Sequence, residues 1–463
     1  MNSTKITRWK IPLLLFMLIG ITTACRPKTY NDLSCDVPLT KGQSPSLDAP
    51  PGPINISLNI DGSESMPGYL TNGASRYIKT IQLLDRTFSI SDLVEYYRVG
   101  GPEKQKISRS KFLEAIKERF YYEDRVTSNL TGAIAPQKEG KELLVLITDL
   151  YQNQGDVTAV NKKIRQHYLN KEGYAAGILA IRSEFNGKVY VVGSNRDNFN
   201  FPYNTEGKPI EKFRPFYVIF LGPYKHILYY FEKLKRDGGE LIKNSEFTIF
   251  SPNNIINDLS VMSELKNPGE PISGLKRPFS LNNGKVAIEF PKRKEFELLE
   301  IIPNFSKEIP IEYKVNLPIL NEYTLPPSAN SIKAKISESK YFDESTTEFI
   351  SSEAIMAKKL FNSMQFSNWE VGKNRDLSYT NTIKPNELPQ ANIYLFKVDV
   401  VANGLGEQDW WQNWNCEDRD CENDGSKTHN LEHFLQGLKS LTNDLMENNP
   451  IVLARLCYGI QKN

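Results

Sequence analysis

The stretch Ile54-Asn55-Ile56-Ser57-Leu58-Asn59-Ile60-Asp61-Gly62-Ser63-Glu64-Ser65-Met66 decides how the first half of the chain is read. Apolar and polar residues alternate as far as Ile60, the period-2 pattern of a strand, which then runs straight into Asp61-x-Ser63-x-Ser65. A second run, Leu143-Leu144-Val145-Leu146-Ile147-Thr148, is continuously apolar up to its threonine, as in a strand covered on both faces, and it ends in Asp149. Around these two, helical periodicity near residues 75–92, 109–120, 157–168 and 225–234 alternates with strand-like runs at 95–99, 175–181, 216–221 and 247–250. That rhythm predicts an α/β fold over residues 53–252: a central, mostly parallel sheet flanked by helices.

In an open sheet of this kind, ligands bind where loops leave the carboxyl ends of the strands. Carboxylates and hydroxyls gathered at such ends suit a small hard cation with six oxygen ligands, Mg²⁺ before zinc or copper. Capping offers a plainer role: serines bond the orphan N–H groups of a following helix, and Asp61 favours its positive end. The two roles are compatible.

With these features the chain resembles a von Willebrand factor type A domain, a Rossmann-like fold with a metal-ion-dependent adhesion site. Asp61, Ser63, Ser65 and Met66 match the family's D-x-S-x-S and the methionine that often follows, and Asp149 matches its later aspartate. Thr127-Ser128-Asn129-Leu130-Thr131-Gly132-Ala133-Ile134 resembles the middle element, with Ser128 in the ligand register and Thr127 or Thr131 as alternatives. Glu64 departs from the usual glycine. The resemblance implies Mg²⁺ (or Mn²⁺ or Ca²⁺) held by Asp61, Ser63, Ser65, Ser128 and Asp149, with one coordination position left for an acidic side chain of a partner protein. This is binding chemistry without an activated nucleophile, so no catalytic residue and no enzyme is expected.

The chain has 463 residues, and its first 25 read MNSTKITRWKIPLLLFMLIGITTAC. A basic start, a short apolar run and Ile21-Thr22-Thr23-Ala24-Cys25 resemble a bacterial lipoprotein signal, with residues 1–24 removed and Cys25 lipidated, palmitate included. The expected address is the cell envelope, extracytoplasmic and membrane-anchored, at the outer membrane if the cell is Gram-negative. Residues 25–52, with Ser44-Pro45-Ser46 and Pro50-Pro51-Gly52-Pro53, predict a tether spanning about 30 Å. Without the leader's three cations the mature chain carries 54 Lys+Arg against 55 Asp+Glu, which offers no footprint for nucleic acid.

Beyond the first domain, short runs at 286–290, 309–317 and 332–336 predict a small β-sandwich-like domain over 253–345. Residues 346–463 read as a mixed α/β region, with helices near 352–364 and 428–446 and a strand at 393–401. Apart from Cys25, the cysteines Cys35, Cys416, Cys421 and Cys457 permit two disulfides in three connectivities, with Cys416–Cys421 the local candidate. His429-x-x-Glu432-His433 and the acidic string Asp420, Glu422, Asp424 raise a second reading, an envelope hydrolase using this C-terminal cluster. Against it, Leu431, Phe434, Leu435 and Leu438 set the buried helix face opposite both histidines. Trp410, Trp411 and Trp414 read first as cover for a small core, and otherwise as an exposed platform. A third reading is a metal-free scaffold in an envelope assembly.

Overall fold

The computed structural model describes residues 28–29, 52–89, 93–101, 103–122, 128–136, 142–151, 157–191, 199–256, 264–278, 280–282, 287–289, 296–317, 321–372, 376–417 and 421–463. The leader, Cys25 and most of the expected tether lie outside these residues.

The first lobe is built on β1 (Asn55–Asp61), α1 (Arg76–Phe88), β2 (Val94–Val99), β3 (Gln105–Ile107) and β4 (Glu142–Thr148). It continues with α2 (Val157–Ile164), β5 (Tyr174–Ser183), the hairpin β6 (Asn186–Val191) and β7 (Phe199–Asn204), β8 (Arg214–Pro223), α3 (Tyr224–Gly238) and β9 (Glu246–Phe250). One seven-stranded sheet runs in the order β9-β5-β8-β4-β1-β2-β3. Period-2 alternation sorts its two faces. Leu143, Val145 and Ile147 share a core with residues of α1 and α3, while Leu144 and Leu146 join Val160 and Ile164 of α2 on the other side. The unusual polarity of β1 is absorbed locally, because the buried Asn59 donates to the Ser57 carbonyl and, across the sheet, to the Val145 carbonyl at 3.2 Å.

The sheet is mixed, which corrects the expectation of a mostly parallel one. β1 pairs in parallel with β2 and β4, but β2–β3, β4–β8, β8–β5 and β5–β9 are antiparallel. After β5 the β6–β7 hairpin turns the chain back, so β8 returns in the opposite direction and inserts between β4 and β5. Such a return needs no helical crossover. The helix expected over 109–120 is broken into Arg109–Leu113, a 3₁₀ turn and Arg119–Tyr122.

The second lobe is a sandwich. Its longer elements are β10 (Phe296–Ile301), β11 (Ile309–Asn316), β12 (Ile332–Asp343), α4 (Ala354–Asn362), β13 (Met364–Val371), β14 (Asp376–Ile383), β15 (Asn392–Ala402), α5 (Leu431–Asn448) and β16 (Ile451–Lys462). One sheet runs from Glu264–Leu265 through β11, β14 and β13; the other runs from Leu275–Lys276 through β10, β16, β15 and β12 to Glu348–Ser351. They meet through Tyr379 and Tyr458, whose hydroxyls lie 2.9 Å apart. The division expected at residue 345 separates no folding unit, since β11 pairs with β14, β12 with β15 and β10 with β16. Short runs on one side of a boundary do not reveal that their partners lie on the other.

The lobes share a core. Trp411 stacks on Phe250 of β9 at 5.6 Å, Asn161 of α2 donates to the Phe434 carbonyl of α5, and Arg165 pairs with Asp444 at 2.9 Å. Trp410, Trp411 and Trp414 are all buried, as core cover requires. Cys416 and Cys421 are disulfide-bonded, and Cys35 lies outside the described residues. Instead of belonging to a free tether, Lys28–Thr29 pairs with Ala287–Glu289, which pairs in turn with Leu281–Asn282.

Candidate metal centre

β1 and β4 are adjacent and parallel, so their carboxyl ends bring Asp61 and Asp149 to one edge of the sheet. The turn after β1 adds Ser63 and Ser65, and Ser128 precedes the helical turn Leu130–Ala133, which Asn129 caps by accepting from the Gly132 N–H. All five expected residues converge, each no more than 5% exposed. Ser63 Oγ and Ser65 Oγ are 3.1 Å apart, Ser65 Oγ donates to Asp149 Oδ1 at 3.1 Å, and Ser128 Oγ donates to Asp61 Oδ2 at 3.1 Å. Asp61 Oδ1 accepts from the Ser63 N–H at 3.0 Å. Of the alternative hydroxyls, Thr131 is half-buried on the helical turn and Thr127 lies outside the described residues.

The oxygen spacing provides a fit test. An octahedron with Mg–O bonds of 2.0–2.1 Å has edges of about 2.9 Å, against about 3.4 Å for Ca–O bonds near 2.4 Å. The three 3.1 Å separations lie closer to the smaller cation. Among the described residues, no group of three or more His, Cys, Asp or Glu is placed to hold a metal ion; this set has two carboxylates and is otherwise hydroxyl.

Two functional neighbours had no signal in the motif. Thr148 Oγ1 donates to Asp61 Oδ2 at 2.8 Å and accepts from the Leu150 N–H, so the last residue of β4 orients a carboxylate on β1. Arg214, the first residue of β8, places Nη2 3.2 Å from Asp149 Oδ2, and both side chains are buried. Adjacency to Asp149 was a hint for Thr148. Nothing local marks Arg214, which reaches Asp149 only because β8 inserts beside β4.

Burial, and secondarily the charge of Asp149, push the Asp61 carboxyl up from 3.8 to about 6. Between these values the folded protein holds a proton that the unfolded chain has released. With no cation bound, the contribution of Asp61 to stability therefore falls as pH rises through 4–6, by about 3 kcal/mol. Asp61→Asn is expected to flatten this part of the profile, as read by urea unfolding in EDTA across pH 4–8. Because a cation needs the carboxylate, its binding should release a proton and weaken below about pH 6.

At the rim, Glu64 is exposed, and Tyr151 and Tyr190 are half-buried with rings 5.3 Å apart. Burial raises the Tyr190 hydroxyl, and the charges of Glu64 and Asp149 push the same way, as their proximity requires. The C-terminal cluster is arranged differently. His433 is exposed, Glu432 accepts from Gln412, and Asp424 accepts from the Ser426 N–H in its own turn while facing Lys212 at 3.5 Å. Asp420 lies outside the described residues.

Compared with models of known protein families, with curated proteins and with solved structures, the chain matches none.

Proposed function

We propose that this chain is a lipid-anchored, extracytoplasmic binding protein. Its first lobe, read as a von Willebrand factor type A-like domain, would engage a protein partner through a divalent cation held by Asp61, Ser63, Ser65, Ser128 and Asp149. The observation that carries the reading is the meeting of these five buried side chains at one end of the sheet, with the Ser63–Ser65, Ser65–Asp149 and Ser128–Asp61 oxygens each 3.1 Å apart, near the edge length of a magnesium octahedron. A bound cation would supply Lewis acidity toward an incoming carboxylate. The chain's own residues set its charge: Asp61 and Asp149 less Arg214 give one net negative charge, so a divalent ion leaves the centre positive and attractive to an acidic side chain. Tyr151 and Tyr190 beside the centre are of a residue type enriched in protein interfaces.

One observation favours the metal-free scaffold as a second reading. Each of the five side chains is hydrogen-bonded to another of the set, and Arg214 neutralises Asp149 without any ion. Thermal unfolding separates the two. A ligand at a hundred times its Kd adds about 2.7 kcal/mol, so Mg²⁺ or Mn²⁺ should raise the Tm of the mature chain over that in EDTA. The rise should vanish in Asp61→Ala and Asp149→Ala. A flat response in folded wild type would leave the scaffold reading.

A further inference from the structure

The six-stranded sheet has an outer face turned away from the sandwich core, and its register identifies that face. Leu281 packs against Gly459, whose cross-strand partners are Leu298 and Leu395. Alternation from Leu395 then places Lys397 and Asp399 of β15 on the same face, with Arg455 opposite Asp399. On β12 it adds Lys333 and Lys335, then Glu338 and Lys340 beyond the bulge. Glu300 of β10 faces Lys276 from the edge strand. Cations outnumber carboxylates on this face by six to three, and Lys333 and Lys335 are exposed.

One end of this face is covered by the small sheet that contains Lys28–Thr29. The Leu281–Asn282 strand is fastened there, since the Asn282 N–H donates to Gln461 Oε1 at 2.9 Å and Gln461 Nε2 donates to the Asn282 carbonyl at 2.7 Å. Lys28 is three residues from Cys25, a reach of about 10 Å at full extension. A leash of this length keeps the Lys28 end of the face near lipid, and the charge of the lipid then decides whether the face turns onto it.

We propose that the basic outer face of the six-stranded sheet rests on the anionic headgroups of the membrane that holds the Cys25 anchor. The proposal depends on reading Cys25 as lipidated. It makes the sandwich the membrane-proximal lobe. Two independent observations carry it: the short chain from the anchor to a strand on this face, and the face's excess of positive charge, which anionic lipid attracts within a Debye length.

The test uses the full chain expressed with its leader, labelled with a palmitate analogue and reconstituted into vesicles. Lysine acetylation by an amine-reactive ester is followed by mass spectrometry in vesicles containing phosphatidylglycerol and in vesicles of phosphatidylcholine alone. Lys333 and Lys335 should react roughly threefold or more slowly on the anionic vesicles, with protection lost in high salt. In Lys333→Glu/Lys335→Glu, protection of Lys340 and Lys397 should fall while the acyl chains keep the protein bound. A labelled, vesicle-bound protein whose lysines react equally on both surfaces overturns the orientation and leaves the anchor standing. An unlabelled Cys25 overturns the anchor and this proposal together.

Discussion

Replacing Arg214 with methionine should lower stability by about 3–5 kcal/mol, the usual cost of stripping one partner from a buried ion pair. The guanidinium side chain is 4% exposed and its Asp149 partner 0%, so no water replaces the lost charge. Urea unfolding in EDTA at neutral pH would measure the loss. Lysine at the same position keeps the charge but not the planar fork, so Arg214→Lys should fall between wild type and methionine. Adding Mg²⁺ then tests the centre itself. With Asp149 uncompensated, the proposed cation site becomes more negative, and Mg²⁺ should stabilise Arg214→Met more than wild type. If Mg²⁺ restores nothing, the arginine is a structural counter-ion in a centre that takes no metal.

Trp411→Ala should cost a similar amount, about 3–5 kcal/mol, because it empties a fully buried indole site. Trp411 is 1% exposed and stacks on Phe250, at the seam where the first sheet meets the C-terminal segment. The core cluster is continuous from α2 through Trp411 and α5 into the sandwich. Wild type should therefore unfold in one transition, and the variant should show either a lower midpoint or two separate transitions as the lobes uncouple. Trp411→Phe should be much milder, since the indole N–H has no hydrogen-bond partner among the described residues and its removal deletes a buried unpaired donor. A single transition at an unchanged midpoint would mean that the lobes are held mainly by the α2–α5 contact.

The sequence by itself determined the local elements. Alternation in Ile54–Ile60 and the apolar run before Thr148 were enough to specify β1 and β4, since side-chain facing along a strand depends only on neighbours two residues apart. Their polar ends put Asp61, Ser63, Ser65 and Asp149 on view as candidate ligands, and Ser128 followed from a resemblance in spacing. Only the tertiary structure decided which strands became neighbours. The apolar β8 reads the same whether it pairs parallel or antiparallel, and its insertion beside β4 brought Arg214 to Asp149. The sandwich likewise took β13, β14, β15 and β16 from beyond its expected end, because pairing energy comes from a partner strand and leaves no mark on the local pattern. The net charge of the centre was decided in the same way: two carboxylates are visible in the motif, whereas the cation that offsets one of them is brought in by the fold.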